Sequence, residues 1–425
     1  MRRDGEPASR VLCDRRRRPV EADRPVRSAV GATERRSVIV RAAFVSTYPP
    51  RQCGIASFTQ DLASASGSRE VVALHPPGQS APYPLEVHHR IRRDEQADYA
   101  HVARSVDQCV DVVSIQHEYG IWGGDDGDYV VDFLRSLRVP AVTTLHTVLA
   151  DPSPGQRSVL SELVARSAAT VVMSGSAASL LASAYGVDPR RLDIIPHGVP
   201  NLPLVEPETV KASLGVAGHR VILSFGLLGP GKGYEAALEA LPSVVAEHPT
   251  ACYVVVGVTH PDLIRVEGEA YRERLEAQVS RLGMQAHVRF VDRFLGRVEL
   301  TRWLEAADVF VTPYPKLDQI VSGTLSYAMG AGRAIVSTPY TYAAELLADD
   351  RGVLVEPGST TALAGALNQV LGDDDLRARL GRRAYAHSRE MVWPAVGARY
   401  RTVFERAVAK VAPPVLVGSL AAMNA

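Results

Sequence analysis

A lysine in a glycine-rich turn is the first group in this sequence that could do chemistry. The segment Val221–Leu241 (VILSFGLLGPGKGYEAALEAL) has the pattern of a buried strand, a turn that contains Lys232, and an amphipathic helix. Such a turn directs free backbone N–H groups and the positive end of the helix dipole toward a ligand. Only four of the 47 basic residues are lysines, so a lysine here is unusual for this chain. The pattern predicts a phosphate site.

The spacing from Gly226 to Lys232 is also that of a nucleoside-triphosphate P-loop. In that motif a Ser or Thr follows the lysine and binds Mg²⁺. Gly233 follows here, and Pro230 removes one backbone donor. We therefore interpret the turn as a different kind of phosphate site. An NTPase and a plain surface turn remain open as alternatives.

A second glycine loop follows the first strand of the chain. The stretch Tyr48–Thr59 contains two prolines, Arg51 and Gly54, and it leads into a helix. A glycine just before a helix allows the backbone to approach a ligand closely. A tight turn with positive φ is the alternative interpretation of Gly54.

Polar side chains follow two other strands of the first half. His146 comes directly after the strand that ends at Leu145, and His117 and Glu118 follow another strand. Ligands of parallel α/β sheets bind at the carboxyl ends of the strands, which makes these residues candidates. The acidic loop Gly123–Asp128 lacks the spacing of a calcium loop, and a surface turn is the simpler interpretation.

The second half has its own strand-end residues. His260 follows one strand, and Ser322 is expected to cap a helix that runs to Met329. The free N–H groups of this helix would face the Lys232 turn from the neighbouring strand. Two helix N-termini and one lysine would then converge without a metal, which suits a diphosphate.

Strands and helices alternate through both halves of the sequence. Short β-branched apolar runs between helices are typical of parallel sheets covered on both faces. The predicted strands are Val38–Val45, Val71–Leu74, Val110–Ile115, Ala141–Leu145, Thr170–Met173 and Leu192–Ile195, then Val221–Phe225, Cys252–Val256, Val288–Val291, Val309–Thr312, Ala334–Ser337 and Val353–Val355. The predicted helices include Gln156–Arg166, Ala177–Tyr185, Tyr234–Glu247, Ala270–Arg281 and Ala362–Leu371.

The length of 425 residues favours two domains, and the pattern predicts two doubly wound α/β domains. We place them at residues 37–202 and 203–392, with the break in the proline-rich stretch Asn201–Pro207. Residues 1–36 hold 11 arginines against six acidic residues and little apolar pattern, so we expect a disordered tail. Neither half has GxGxxG after its first strand, which argues against a nicotinamide cofactor.

The composition excludes several classes of function. Acidic and basic residues balance at 47 each, so nucleic acid is not an expected partner. No run approaches the roughly 20 apolar residues of a membrane span; Val415–Val417 is far too short. The four cysteines (Cys13, Cys53, Cys109 and Cys252) form no CxxC pair and fit a reducing cytoplasm.

Taken in order, the motifs resemble those of the family 4 glycosyltransferases, which have the GT-B fold. The resemblance extends from about residue 40 to residue 400. It rests on Cys53-Gly54, His146-Thr147, Ile195-Pro-His-Gly198, the turn Phe225–Gly233 and the segment Ser326–Ser337. Trp393 and Tyr400 resemble the last helix of that family, so residues 393–425 are expected to form a helix that crosses back to the first domain, followed by a tail.

The resemblance implies a retaining, metal-independent hexosyltransferase that takes a hexose from a nucleoside-diphosphate sugar. Lys232 would neutralise the departing diphosphate with help from backbone amides, and His146 would contact the sugar near the reacting carbon. The family usually has Arg in place of Leu227 and glutamates in place of Gln319 and Tyr327; Glu345 could supply a contact instead. The implied catalytic residues are His146, Lys232 and Gln319. Donor-binding residues are Gly54, Gly226, Lys232, His260, Ser322, Gly323, Thr324, Leu325, Tyr327 and Glu345, and acceptor-side residues are Arg51, His117 and Glu118.

The sequence leaves the substrates open. GDP-mannose is the first donor to consider, followed by UDP-glucose and UDP-N-acetylglucosamine, on resemblance alone. The hydroxyl acceptor could be a saccharide, a lipid-linked sugar or a natural product, and peripheral membrane contact remains open. The departures at Leu227, Gln319 and Tyr327 also leave open a sugar-nucleotide-binding protein without turnover.

Overall fold

Short aliphatic runs form the buried strands of this protein. The structure is a computed structural model that describes residues 40–411. The predicted tail at residues 1–36, Cys13 and the apolar run at Val415–Val417 lie outside this range.

The first sheet contains seven parallel strands in the order β3-β2-β1-β4-β5-β6-β7. Their bounds are β1 Ala42–Ser46, β2 Glu70–His75, β3 Val87–Arg92, β4 Val112–His117, β5 Ala141–Leu145, β6 Ala169–Val172 and β7 Leu192–Ile194. The sequence pattern missed β3, whose residues VHHRIR mix apolar and charged side chains. It pairs only with β2 at the sheet edge, so its exposed positions need no apolar residue.

The second sheet contains six parallel strands in the order β10-β9-β8-β11-β12-β13. Their bounds are β8 Arg220–Phe225, β9 Ala251–Val256, β10 Val288–Val291, β11 Val309–Thr312, β12 Ala334–Ser337 and β13 Val353–Leu354. The two doubly wound sheets predicted from the sequence are therefore confirmed.

Helices cover both faces of each sheet. In the first half they are α1 Gly54–Ser66, α2 Gln96–Val106, α3 Tyr129–Ser136, α4 Pro154–Arg166 and α5 Gly175–Tyr185. In the second half they are α6 Glu208–Lys211, α7 Tyr234–Glu247, α8 Pro261–Glu267, α9 Ala270–Arg281, α10 Arg297–Ala306, α11 Gly323–Gly330, α12 Thr341–Leu346, α13 Thr360–Gly372, α14 Asp374–Ser388 and α15 Trp393–Val411.

The strand order reverses beside the first strand of each sheet. Strand β1 lies between β2 and β4, and β8 lies between β9 and β11. Such switch points open a crevice at the carboxyl ends of the strands, where ligands bind. The loop before α1 and the glycine turn before α7 occupy these two places.

The chain passes between the two halves twice, and the two passages are hydrogen-bonded to each other. The backbone N–H of Val199 donates to the carbonyl of Met391 at 2.8 Å, and the N–H of Trp393 donates to Val199 at 3.0 Å. Helix α15 then packs on α1 and joins the apolar cluster of the first sheet, where Phe404 lies 6.0 Å from Phe44.

Candidate active site

The glycine turn after β8 is shaped by close backbone contacts. Gly233 has φ 73°, and a Cβ there would lie 2.0 Å from the carbonyl oxygen of Pro313. A Cβ on Gly257 would lie 1.9 Å from the carbonyl oxygen of Gly226. The turn therefore runs against two neighbouring loops at distances that only glycine permits.

Lys232 projects from this turn as an uncompensated cation. Its Nζ lies 4.5 Å from the centroid of the Tyr314 ring, which stacks on Tyr340 at 4.9 Å. Lys232 forms no ion pair with any of residues 40–411. A partly exposed ammonium group on an aromatic face is available to an anionic ligand.

The N-terminus of α11 lies beside the glycine turn. The Oγ of Ser322 caps the helix by accepting from the N–H of Leu325 at 3.4 Å. The hydroxyl of Thr324 lies 3.2 Å from that of Tyr314, the residue under Lys232. A Cβ on Gly226 would lie 3.5 Å from Cγ2 of Thr324. The lysine turn and this helix N-terminus thus converge, in line with the neighbouring positions of β8 and β11.

His260 begins α8 on the far side of the same turn. Its ring Nδ1 accepts from the backbone N–H of Asp262 at 3.2 Å. The backbone N–H of His260 donates to the carbonyl of Leu228 at 2.8 Å. The side chain is half-exposed. It therefore lies next to the glycine turn, and its Nε2 has no hydrogen-bond partner among residues 40–411.

The first domain contributes the N-terminus of α1. Cys53 caps this helix with its Sγ, which accepts from the N–H of Ala56 at 3.3 Å. Gly54 is the first helical residue and does not have positive φ, so the tight-turn interpretation is wrong. A Cβ on Gly54 would meet nothing within 4 Å. The position is open space at a helix N-terminus. Arg51 precedes it with Nη1 enclosed and unpartnered within the described chain.

His146 occupies the carboxyl end of β5. Its Nε2 lies 2.9 Å from Oε1 of Gln116, and its ring packs edge-on against Phe58 at 4.7 Å. Burial, with smaller contributions from His197 and His117, lowers the pKa of His146 to about 3. The imidazole is therefore neutral at physiological pH.

The neighbouring acceptor-side candidates lie deeper. His117 is fully buried, and neither ring nitrogen has a partner among the described residues. Burial lowers its pKa to about 3. Glu118 accepts a short hydrogen bond from the hydroxyl of Thr147, and burial raises the pKa of its carboxyl.

Two residues predicted to bind the donor make hydrogen bonds that join the domains. The Tyr327 hydroxyl donates to Asp61 of α1 at 3.0 Å, and Arg297 bonds the other oxygen of that carboxylate at 2.5 Å. Glu345 accepts from the N–H groups of Gly175 and Ser176 at 2.8 Å each, at the N-terminus of α5. Both contacts cross from the second domain to the first.

The loop before α11 also reaches the first domain. Ile320 is buried in the apolar cluster of α4 and α5, and its carbonyl accepts from the Ser174 hydroxyl at 3.3 Å. The side-chain amide of Gln319 donates to the carbonyl of Val321 at 2.7 Å. Gln319 thus lies in the seam between the domains and supports its own loop.

His197 is a site residue that was not predicted from the sequence. It follows β7 and was noted only as part of a motif, although a polar residue after a strand is the same signal that pointed to His146. Its ring lies 5.0 Å from that of Phe58. A Cβ on Gly323 would lie 2.9 Å from its Nε2. His197 is therefore in contact with the N-terminus of α11.

Residues 40–411 contain neither a cluster of metal ligands nor a membrane-spanning helix. In the part of the chain that the structure describes, no three or more His, Cys, Asp or Glu residues are grouped as metal ligands. Among residues 40–411, no helix combines the length and the apolar character needed to cross a bilayer.

Comparison with known proteins gives consistent matches to both halves. A family model described as Glycosyltransferase Family 4 matches residues 54–201, and one described as Glycosyl transferases group 1 matches residues 206–387. A D-inositol 3-phosphate glycosyltransferase of Corynebacterium glutamicum is 25% identical over 296 residues, 65% of this chain and 69% of the relative. One of Streptomyces scabiei is 28% identical over 293 residues, 64% of this chain and 63% of the relative.

Solved structures share the fold. Anabaena Alr3699/HepE in complex with UDP-glucose aligns with a TM-score of 0.67 at 17% identity, over 86% of this chain and 99% of the other. Sucrose-phosphate synthase of Thermosynechococcus elongatus aligns with a TM-score of 0.68 at 16% identity, over 87% and 100%. The molecule is thus a glycosyltransferase with the GT-B fold. More particularly, the chain belongs to glycosyltransferase family 4.

Proposed function

We propose that this protein is a retaining, metal-independent hexosyltransferase that moves a hexose from a nucleoside-diphosphate sugar to a hydroxyl acceptor. The carrying observation is the convergence of Lys232 with the glycine turn and the N-terminus of α11. An ammonium group and two sets of free N–H groups suit a diphosphate that keeps its negative charge. This arrangement supplies the charge stabilisation that a metal would otherwise provide.

The chemistry follows from where charge develops. As the bond between the sugar C1 and the diphosphate oxygen breaks, negative charge grows on the diphosphate beside Lys232. Preorganised donors at such a place contribute roughly 3–4 kcal/mol each to transition-state stabilisation. The acceptor oxygen bonds to C1 on the face that the diphosphate leaves. Its proton passes to an oxygen of the departing diphosphate, because Gln319 offers no carboxylate base.

The remaining roles follow from position. His146 contacts the transferred sugar, and the N–H groups at Gly54 and at Thr324 bind the diphosphate from opposite domains. The acceptor enters beside Arg51, His117 and Glu118. We infer a cytoplasmic location because the cysteines form no CxxC pair, a pattern that fits a reducing compartment.

The donor remains to be chosen by experiment. Purified protein would be screened by thermal shift against UDP, GDP, ADP and TDP and their hexose conjugates, with UDP-glucose and GDP-mannose first. UDP-glucose is bound in a solved protein of the same fold, and GDP-mannose is suggested by the family resemblance alone. We expect one nucleotide series to raise the melting temperature. Failure of every sugar nucleotide to bind at millimolar concentration would contradict the proposal.

Turnover and stereochemistry need a second assay. With the donor that binds, we expect nucleoside diphosphate release in the presence of EDTA and a product whose anomeric configuration by NMR equals that of the donor. Lys410→Ala is the matched control for Lys232→Ala. This exposed lysine lies at the end of α15, and its Nζ donates to the carbonyl of Ala168. Tight binding without turnover on a broad acceptor panel would favour a binding protein instead.

A further inference from the structure

Two arginines at the carboxyl end of the first sheet have no acidic partner. Arg51 belongs to the loop between β1 and α1, and Arg90 is on the edge strand β3. Neither side chain forms an ion pair with any of residues 40–411. The Nη1 of Arg51 is also enclosed without a hydrogen-bond partner in the described chain. A guanidinium group in this state is available to an anion from outside the chain.

The next arginines along the chain are neutralised. Arg92 donates to both carboxylate oxygens of Asp98 at 2.8 Å each. Arg93 donates to the carboxylate of Asp94 at 2.7 and 3.1 Å. The contrast with Arg90, two residues earlier on the same strand, shows that unpaired charge is not a general property of this edge.

Tyr83 brings the two unpaired arginines together. Its ring lies under the guanidinium group of Arg90, whose Cζ is 5.2 Å from the ring centroid. The Nδ1 of His75, at the end of β2, lies 3.3 Å from the Tyr83 hydroxyl. Burial raises the pKa of Tyr83, while the charges of Arg90 and Arg51 lower it, so both cations are near this phenol. We call Arg51, His75, Tyr83 and Arg90 the arginine cluster.

The carboxylate nearest to this cluster along the chain is already engaged. Oε1 of Glu86 accepts from the Tyr48 hydroxyl at 3.1 Å. Burial, with a smaller contribution from Arg90, lowers the pKa of His75, so its imidazole adds a hydrogen bond and no charge at neutral pH. Two guanidinium groups against one carboxylate leave this corner of the domain positive.

The arginine cluster lies on the acceptor side of the cleft. In the strand order β3-β2-β1-β4-β5, it is on one side of β1 and His146 is on the other. Neighbouring strands are about 4.8 Å apart, so β3 is roughly 10 Å from β1. The donor diphosphate has its own cation, Lys232, on the second domain. A group held by the cluster therefore belongs to the acceptor and lies to one side of the reacting hydroxyl.

We propose that the arginine cluster is a subsite for an anionic group, a phosphate or a carboxylate, that the acceptor carries. A planar guanidinium group donates two parallel hydrogen bonds to either anion. A second guanidinium group nearby favours the doubly charged phosphate. The inference rests on the proposed function and adds the chemical class of the acceptor to it.

Binding of inorganic phosphate tests the subsite without turnover. The full-length Lys232→Ala variant is the starting point, because it weakens the donor phosphate site. We expect calorimetry to show phosphate binding in this variant, and the added substitutions Arg51→Gln and Arg90→Gln to weaken that binding by about 100-fold, two charge-assisted contacts. Arg92→Gln is the matched control, since it removes a charge from the same strand that is already paired, and it should leave phosphate binding unchanged.

Two results would overturn the subsite. One is phosphate binding that disappears in Lys232→Ala alone, and the other is binding that survives loss of both arginines. Melting temperatures of the variants would show whether they are folded, and a purely structural role for the cluster would lower the melting temperature without changing phosphate affinity.

Matched acceptors test the substrate class. With the donor that binds, kcat/KM would be compared for glucose and glucose 6-phosphate, for mannose and mannose 6-phosphate, and for galactose and galacturonate. We expect the charged member of a pair to be preferred by about 100-fold. Arg90→Gln should reduce this ratio by at least about tenfold, and Arg90→Lys, which keeps the charge but not the planar fork, should retain part of it.

A lipid-linked acceptor would supply the same chemistry. Leu85, two residues after Tyr83, is 94% exposed, so the same loop also presents an apolar side chain. A hexose linked to a lipid phosphate in detergent micelles would distinguish this source from a soluble sugar phosphate. Equal kcat/KM within every pair, the lipid-linked one included, would overturn the inference and leave the proposed function intact. Failure of every sugar nucleotide to bind or react would contradict the proposed function, whereas phosphate binding would still decide the anion site.

Discussion

Two lysines at opposite ends of the second sheet differ in burial and in the partners of their ammonium groups. Lys211 precedes β8 and is fully buried, with its Nζ 2.6 Å from Glu208 and 2.7 Å from Asp308. Its third hydrogen bond goes to the carbonyl of His219 at 2.8 Å. Lys232 follows β8 and is partly exposed; its Nζ lies over the ring of Tyr314, and it forms no ion pair with any of residues 40–411.

The surroundings of each lysine, rather than its residue type, indicate whether it serves stability or ligand binding. A buried ammonium group is tolerated only when its hydrogen-bonding capacity is used within the chain, as at Lys211. At the carboxyl end, Lys232 forms no ion pair with any of residues 40–411, and the N-terminus of α11 lies beside it. Groups left in this state are stabilised by what they bind.

The largest effect is expected from removing the buried lysine. Lys211→Ala removes the nearer cation from Asp308, which is 4% exposed and keeps only Arg220 at 3.8 Å as a charged partner among the ion pairs of residues 40–411. Loss of one member of a buried pair costs about 3–5 kcal/mol. Urea unfolding should show this loss, with little change in kcat/KM of the remaining folded protein. A loss of unfolding free energy below about 1 kcal/mol, the value expected of a surface pair, would contradict the stabilising role of Lys211.

Lys232→Ala should do the reverse. Loss of a charge-assisted contact to the departing diphosphate is expected to lower kcat/KM by about 100-fold or more. The melting temperature should stay within a degree or so of the parent, because a partly exposed cation without an ion pair contributes little to stability. Unchanged turnover in a folded variant would remove Lys232 from the mechanism.

The contrast extends to the first domain through Gly54. Gly54→Val adds a side chain where the structure has open space and needs no positive φ. We expect at least about a tenfold loss of kcat/KM, roughly one preorganised interaction, with the melting temperature unchanged. The kcat/KM of Gly54→Ala should fall between that of the parent and that of Gly54→Val. Equal losses of stability and activity would instead indicate a structural role.

The smallest effect on ligand binding is expected at Tyr327, because this residue lies at the carboxyl end yet is paired within the chain. Tyr327→Phe removes its hydrogen bond to Asp61, which should cost about 1.5–3 kcal/mol of unfolding free energy, as for a bond to a charged group. Nucleotide affinity by calorimetry should change little. A weakened nucleotide complex with unchanged stability would instead support the donor-binding role expected from the sequence.

Much of the fold could be predicted from the sequence because each buried strand is a short apolar run. The predicted bounds of α7, α9, β10, β11 and β12 agree with the structure. Strand β3 was missed because an edge strand covered on one side keeps charged residues. The turn at Lys232 could be found because glycine and lysine spacing directly encode its backbone geometry.

The parts that could not be predicted depend on how the domains meet. Neither Asp61 nor the N-terminus of α5 carries a sequence signal that names its partner, since Tyr327 and Glu345 are far away in the chain.

The return of α15 to the first sheet sets an order of events during synthesis. Phe44 and Phe58 are complete early in translation, but the helix that packs against them is made last. Until the ribosome reaches residue 411, this apolar surface has no cover from its own chain, which favours association with other chains or chaperones. A fragment that ends before Trp393 should therefore be recovered mainly in inclusion bodies, even though both of its sheets are complete.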